Sequence, residues 1–343
     1  MKQRALAWVL LPMALLMLVG TALPAQQTVD PLEPSERVVV AYVPIMKFAT
    51  LYVAASRGIF DQYGLDVEVQ RVRSGTEIIA FLTQGSVDVG GIAMVASTWN
   101  AWARGMGLSI IAPGALEPLE GSPTKLLVRT DLAESGRVES VADLEGMRVA
   151  MAGGPGSGGE YLAAKALERG DLTIRDVHAL NLGNPDMPAA FANRSIDAAI
   201  LGSPFADQVL GAGDAVKLAE DLTPEAMTVA FVGSDRFVRE RPEVARRFVL
   251  ALMEAARMMQ GDDYLSPQNL AAYLAHINTT EEALRTGVPV IYDPNQEISL
   301  EGLRDVEEVH RSNRRTEYSD PIDLEEVTDT SFVEWARSVL GTY

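Results

Sequence analysis

The run Gly153-Gly-Pro-Gly-Ser-Gly-Gly159 follows an apolar stretch and opens a helical one. Free backbone amides and the positive end of a helix dipole converge at such a turn, so its natural chemistry is anion capture. Gly156, Ser157 and Gly158 are the candidate contacts. Gly154 to Gly159 also fits the Gly-x-Gly-x-x-Gly pattern of a dinucleotide-binding oxidoreductase. That reading wants an acid about 20 residues on, at the end of the next strand, where this chain has Asn181-Leu182-Gly183 and Asp186 comes late. The plain alternative is a tight turn that uses glycine's backbone freedom.

A second group of candidates sits in Tyr42-Val-Pro-Ile-Met-Lys-Phe48, between an apolar strand and a helix. Ligands of open α/β folds collect at that carboxyl edge. Tyr42 and Phe48 could stack on a planar solute beside Met46, although Met46 and Phe48 read equally well as core, and Lys47 as a solvated charge. Ser74-Gly75-Thr76 offers hydroxyls and amides at a helix start, which also describes an ordinary cap. Asp186, Ser203 and Phe205 follow later strands at the corresponding edge and could face a cleft.

Other chemistries lack their residues. The three histidines, His178, His276 and His310, have no paired spacing, so no metal site is expected. No Gly-x-Ser-x-Gly elbow or Walker loop occurs, and no cofactor is called for. The chain has no cysteine, which excludes disulfides, thiolate metal sites and thiol nucleophiles. A formal net charge of -18 argues against nucleic acid as a partner.

The elements that must position these residues are legible in the alternation of strand and helix. Strand-like runs at 37–42, 66–72 and 87–92 alternate with helical periodicity ending at Gly58 and Gly105; a second series runs through 148–151, 160–169, 177–181, 187–193 and 198–201. Such alternation implies helix-covered, mostly parallel sheets. Leu82-Thr-Gln-Gly-Ser-Val-Asp88 and Phe191-Ala-Asn-Arg-Ser-Ile-Asp197 echo each other, as two related lobes would. Extended runs at 125–129 and 228–233 read as interlobe crossings, with a hinge near Leu127 and Val229. The 343 residues, 48% hydrophobic, suffice for two lobes.

The expected organisation is a leader over 1–25, the first part of lobe 1 over 37–128, lobe 2 over 129–230, and a return to lobe 1 with C-terminal helices over 231–343. In the leader, Lys2 and Arg4 precede an apolar run from Ala5 to Gly20, and Leu-Pro-Ala suits cleavage after Ala25. A retained anchor is the alternative, since the run approaches the length of a spanning helix.

Three stretches then carry a family likeness: Leu51-Tyr-Val-Ala-Ala-Ser-Arg-Gly-Ile-Phe60 with Tyr63-Gly-Leu-Asp-Val67, Gly85-Ser-Val-Asp-Val-Gly90, and Ala189-Ala-Phe-Ala-Asn-Arg-Ser-Ile-Asp-Ala198. Over roughly 38–249 the chain resembles the SsuA/THI5-like and NMT1-like periplasmic binding proteins, which take up nitrate, taurine, alkanesulfonates and thiamine precursors. The resemblance implies a type II two-lobed α/β fold and a non-enzymatic solute-binding role in an ABC importer. It further implies a periplasmic monomer that partners permease subunits and their cytoplasmic ATPase. It carries the ligand site to Tyr42, Ser74, Thr76, Met94, Ser157 and Ser203. A small anion would suit the glycine turn and a heterocycle the aromatics near Tyr42. Gly202-Ser203-Pro204 departs from relatives that place an acid or aromatic before the proline. Fungal thiamine-pyrimidine enzymes are also similar, but depend on a cysteine motif this chain lacks. An exported enzyme of the same fold and the dinucleotide oxidoreductase stand as alternatives.

Overall fold

The structure, a computed structural model, describes residues 28–72 and 75–343. The leader and Ser74 lie outside the described residues, and of Thr76 only the backbone is described. Ten strands form two five-stranded sheets. They are β1 (Glu36–Tyr42), β2 (Leu65–Arg71), β3 (Val89–Ala93), β4 (Leu108–Pro113), β5 (Thr124–Arg129), β6 (Arg148–Met151), β7 (His178–Asn181), β8 (Ala198–Gly202), β9 (Ala215–Ala219) and β10 (Val229–Ser234). The helices that matter below are α1 (Ala49–Ser56), α2 (Gly75–Gln84), α3 (Ala96–Ala103), α4 (Gly158–Leu167) and α5 (Phe205–Ala212) in the first two thirds of the chain. Beyond them come α6 (Pro242–Arg257), α7 (Pro267–His276), α8 (Glu281–Thr286), α9 (Leu300–Ser312) and α10 (Ser331–Leu340).

The first sheet has the order β2-β1-β3-β10-β4 and the second β7-β6-β8-β5-β9. In each, three parallel strands come from successive β-α-β units, and the fourth is antiparallel to both its neighbours. That strand, β10 or β5, is the one entering from the other sheet. The runs read as crossings are therefore strands, and the chain passes between sheets just before them, at 114–123 and 220–228. The two passages are tied together: Ser122 N–H donates to Asp221 Oδ1 at 2.7 Å and Glu117 N–H to the Ala226 carbonyl at 3.1 Å.

The sequence echo has a physical basis. Asp88 and Asp197 each end a helix-turn segment, and each exchanges two hydrogen bonds with the first parallel strand of its own sheet, β1 or β6. Asp88 takes the Val39 amide on its carboxylate at 2.9 Å and gives its own amide to the Val39 carbonyl at 2.9 Å. Asp197 does the same with Arg148, at 3.0 and 2.9 Å. The turns before them need a left-handed residue, which is Gly85 in one lobe (φ +72) and Arg194 in the other (φ +61).

One large apolar cluster surrounds the first sheet. The long α6 buries ten residues, six of them consecutive from Phe248 to Met253, and packs against α1 and α10, so the C-terminal helices pack around this lobe. The second sheet carries a separate apolar cluster on each face.

Candidate functional site

A cleft of about 680 Å³ opens between the sheets. Its floor on the first-sheet side comes from the loop after β1 (Ile45, Met46, Lys47) and the loop after β3 (Met94, Val95). The crossings add Glu117, Pro123 and Thr228, and the second sheet adds Gly158, Tyr161 and Leu162 from α4. Ser203, Pro204 and Asp207 follow β8, and Lys125 lies on β5. A further wall, called the lid below, is the segment from Thr279 to Val290, which includes α8. That lid is held at its far end by Tyr292, whose hydroxyl donates to the Met46 carbonyl, and by amide pairing of Ile291 with Leu116.

The lining is mostly apolar, and its polar groups are few. The Lys47 ammonium pairs with Glu117 and donates to Thr228 Oγ1 at 2.8 Å, with side chains only 19% and 8% exposed for the two ions. Lys47 is thus a half-buried cleft residue, not a solvated charge. Lys125 donates to the Ser122 carbonyl at 2.7 Å. Tyr264 stays neutral, since burial pushes its hydroxyl up to about 12.

The structure brings Met46, Met94, Gly158 and Ser203 together in this cleft. The other described candidates lie outside the lining of this cleft. Tyr42 is core: its hydroxyl meets His276 Nδ1 at 3.0 Å, accepts from Arg71 Nε at 3.1 Å, and its ring packs 5.2 Å from Tyr52. Phe48 is fully buried, edge-on to Phe231 at 5.4 Å. Gly75 starts α2 close to Ile92. Asp186 is exposed and Phe205 packs on the second sheet's core, both outside the cleft lining.

The glycine-rich turn is corrected most sharply. Ser157 caps α4, accepting from Glu160 N at 3.2 Å and donating to the Ala152 carbonyl at 2.9 Å, so the one proton it could offer an anion is already committed. The Gly156 amide donates to the chain's own Glu160 carboxylate at 3.2 Å. That carboxylate, 2% exposed, is gripped by Arg315 through Nε at 2.8 Å and Nη2 at 2.7 Å. The anion expected at this helix start is therefore supplied internally. Gly153, Gly154 and Gly156 all have positive φ, and a Cβ on Gly156 would come within 2.7 Å of the Ala96 Cβ. The glycines serve the turn, and Gly156 a close approach between lobes.

That approach is one of several interlobe ties. The Ala96 amide donates to the Gly156 carbonyl at 3.0 Å, and Asp305 on α9 accepts from the Tyr161 hydroxyl at 2.7 Å and from Lys165 at 2.8 Å. Next to them His310 is fully buried, with Nε2 3.3 Å from the Met94 carbonyl, and burial holds its imidazole below the ordinary value. Sequence reasoning missed Lys47, Glu117, Lys125, Tyr161, Asp207, Thr228 and the lid. Position at a sheet edge could have flagged Lys47, but nothing in the pattern marks 279–290 as a cleft wall.

The profile of the NMT1-like family matches residues 32–277, well over half the chain. The chain belongs to the NMT1-like family. A Brucella abortus protein provisionally named a binding protein is 24% identical over 213 residues, 59% of this chain and 60% of that one. The chain thus spans about 60% of the length of the curated relatives it matches. The ligand-binding component of an ABC-type import system from Staphylococcus aureus superposes with a TM-score of 0.68 at 14% identity, covering 88% of this chain and 99% of that one. The periplasmic aliphatic sulphonate binding protein of Escherichia coli gives 0.65 at 19%, covering 85% and 91%. A Saccharomyces cerevisiae 4-amino-5-hydroxymethyl-2-methylpyrimidine phosphate synthase is 25% identical over 226 residues, 62% of this chain and 63% of that one. The fold is accordingly the two-lobed α/β fold of periplasmic binding proteins, and the family match stops where the lid begins.

Proposed function

We propose that this chain is the extracytoplasmic solute-binding component of an ABC importer. In this reading one lobe comprises 36–113 with 229–343 and the other 124–219, and the cargo is a small organic solute enclosed as the lobes close about the crossings. The observation that carries it is the cleft: both lobes, both crossings and a lid contribute to one mostly apolar space of about 680 Å³, within the usual range for organic ligands. The basic, then apolar, amino terminus supports export to the periplasm, and the closed form would be presented to a permease coupled to a cytoplasmic ATPase.

The test is thermal unfolding of the refolded chain against a panel of sulfonates, nitrate, carboxylates, amino acids, thiamine and riboflavin precursors, polyamines and nicotinamide cofactors. Refolding strips copurified ligand. A ligand at a thousand times its dissociation constant adds about 4 kcal/mol, which raises the midpoint by roughly 6 °C for a chain of this length. A responder recovered unchanged supports the binding role; stabilisation by a nicotinamide cofactor alone, or consumption of the responder, defeats it. An enzymatic reading draws on the yeast synthase relative, but the cysteine motif that the resemblance attaches to that activity is absent from this cysteine-free chain.

A further inference from the structure

Among the described residues, four charged ones line the cleft: Lys47, Glu117, Lys125 and Asp207. Two are positive and two negative, so the described lining is electrically balanced. The first pair is already closed, because Lys47 spends its charge on Glu117 and Thr228. The positive end of α4, the other anion-attracting device near the cleft, is closed as well, since Glu160 occupies it and is itself matched by Arg315. A lone anion entering this space would meet the Glu117 carboxylate beside the one ammonium on the floor.

Lys125 and Asp207 differ. Both stand on the second-sheet wall, Lys125 on β5 and Asp207 in the first turn of α5. Neither forms an ion pair among the described residues; the Lys125 ammonium has a carbonyl as its partner. One cation and one anion without an ion-pair partner among the described residues thus line a mostly apolar cleft, to which the lid adds Leu284, Val288, Pro289 and Val290.

We infer that the cargo is a zwitterion on an apolar body, its anionic group meeting Lys125, its cationic group Asp207, and its body lying against the lid. The inference rests on the binding role proposed above and narrows its substrate class away from small anions. A singly charged solute would bury one of these two residues uncompensated as the cleft closes, which costs far more than an exposed mismatch.

Titration calorimetry on the refolded chain would use three bodies in three charge states: leucine, phenylalanine and tryptophan against the matching carboxylates (4-methylpentanoate, 3-phenylpropionate, indole-3-propionate) and amines (isoamylamine, phenethylamine, tryptamine). For a body that fits, the amino acid should bind at least about thirty-fold tighter than either singly charged partner. Lys125→Gln should reduce the amino acid to the affinity of the amine, and Asp207→Asn to that of the carboxylate. If either variant fails to fold, the charge series on the unmodified chain decides alone. A carboxylate that binds as tightly as its amino acid overturns the inference, as does failure of all three amino acids to bind. If a sulfonate or nitrate binds in their place, the importer role survives and only this inference falls; if no solute of either panel binds, the role itself falls.

Discussion

Replacing Arg315 with Met should cost about 3 kcal/mol of stability and loosen the lobes. Arg315 holds the Glu160 carboxylate with two hydrogen bonds of 2.8 and 2.7 Å. Its partner is 2% exposed, so the substitution leaves a buried charge whose one remaining donor is the Gly156 amide at 3.2 Å. Removing one partner of a buried pair costs about 3 to 5 kcal/mol. The Arg315 side chain is 31% exposed, so the pair is only partly desolvated, which puts the expected cost at the lower end. In urea, with a slope of about 3 kcal/mol per molar for a chain of this length, the midpoint should drop by about 1 M. Adding Glu160→Gln to Arg315→Met should restore most of that loss, because a neutral amide oxygen still accepts from Gly156 and leaves no unpaired charge. Small-angle scattering without ligand should show the single variant as the more expanded particle, since the pair joins α4 of one lobe to the segment after α9 of the other. A midpoint shift below about 0.3 M, or a double variant no better than the single one, would refute the assignment of Glu160 as an internal anion held by Arg315.

The lid and the buried histidine lead to two further expectations. Val288 is 41% exposed and lines the cleft, so Val288→Asp should change the unfolding free energy of the free chain by less than about 0.5 kcal/mol while weakening whichever solute the thermal panel identifies by tenfold or more in calorimetry; unchanged affinity would remove the lid from the site. Burial holds His310 below its ordinary value near 6.5, with Glu160 and Arg315 acting in opposite senses and Nδ1 left without a partner, and burial together with Arg71 does the same to His276. The folded state therefore prefers neutral rings, and their contribution is present above pH 6.5 and lost as pH falls, when the unfolded chain takes up the protons first. Urea midpoints should decline from about pH 7.5 to about pH 5.5, and His310→Phe should flatten that decline while lowering stability at the upper end; an unchanged slope would show that His310 does not titrate with unfolding.

Much of the architecture was legible because hydrophobic period is a local property. The β-branched run of β1, the glycine stops at Gly58 and Gly105, and the paired Ser-Val-Asp and Ser-Ile-Asp segments mark strands, helix ends and the first pairing of each sheet without reference to distant residues. Even the match of Gly85 with Arg194 at one left-handed position follows the echo. The crossings were displaced because an extended run does not reveal whether it spans a gap or fills a sheet: β5 and β10 are apolar enough to be either, and their partners β8, β9, β3 and β4 decide.

The candidate site was legible only as an address. The amino-acid sequence by itself determined that loops after β1, β3, β6 and β8 would gather at facing sheet edges, and four of the candidates, Met46, Met94, Gly158 and Ser203, do so. Which neighbour turns inward, Lys47 or Phe48, depends on packing across the sheet and not on spacing. What occupies the glycine-rich turn depends on an arginine 155 residues further along the chain. Only the tertiary structure decided that the turn's anion is Glu160, that Lys47 is neutralised by Glu117, and that a wall of the cleft comes from 279–290. The physical reason is that local patterning fixes backbone conformation over a few residues, whereas the charge balance and the walls of a cleft are sums over segments that meet only when the chain is folded.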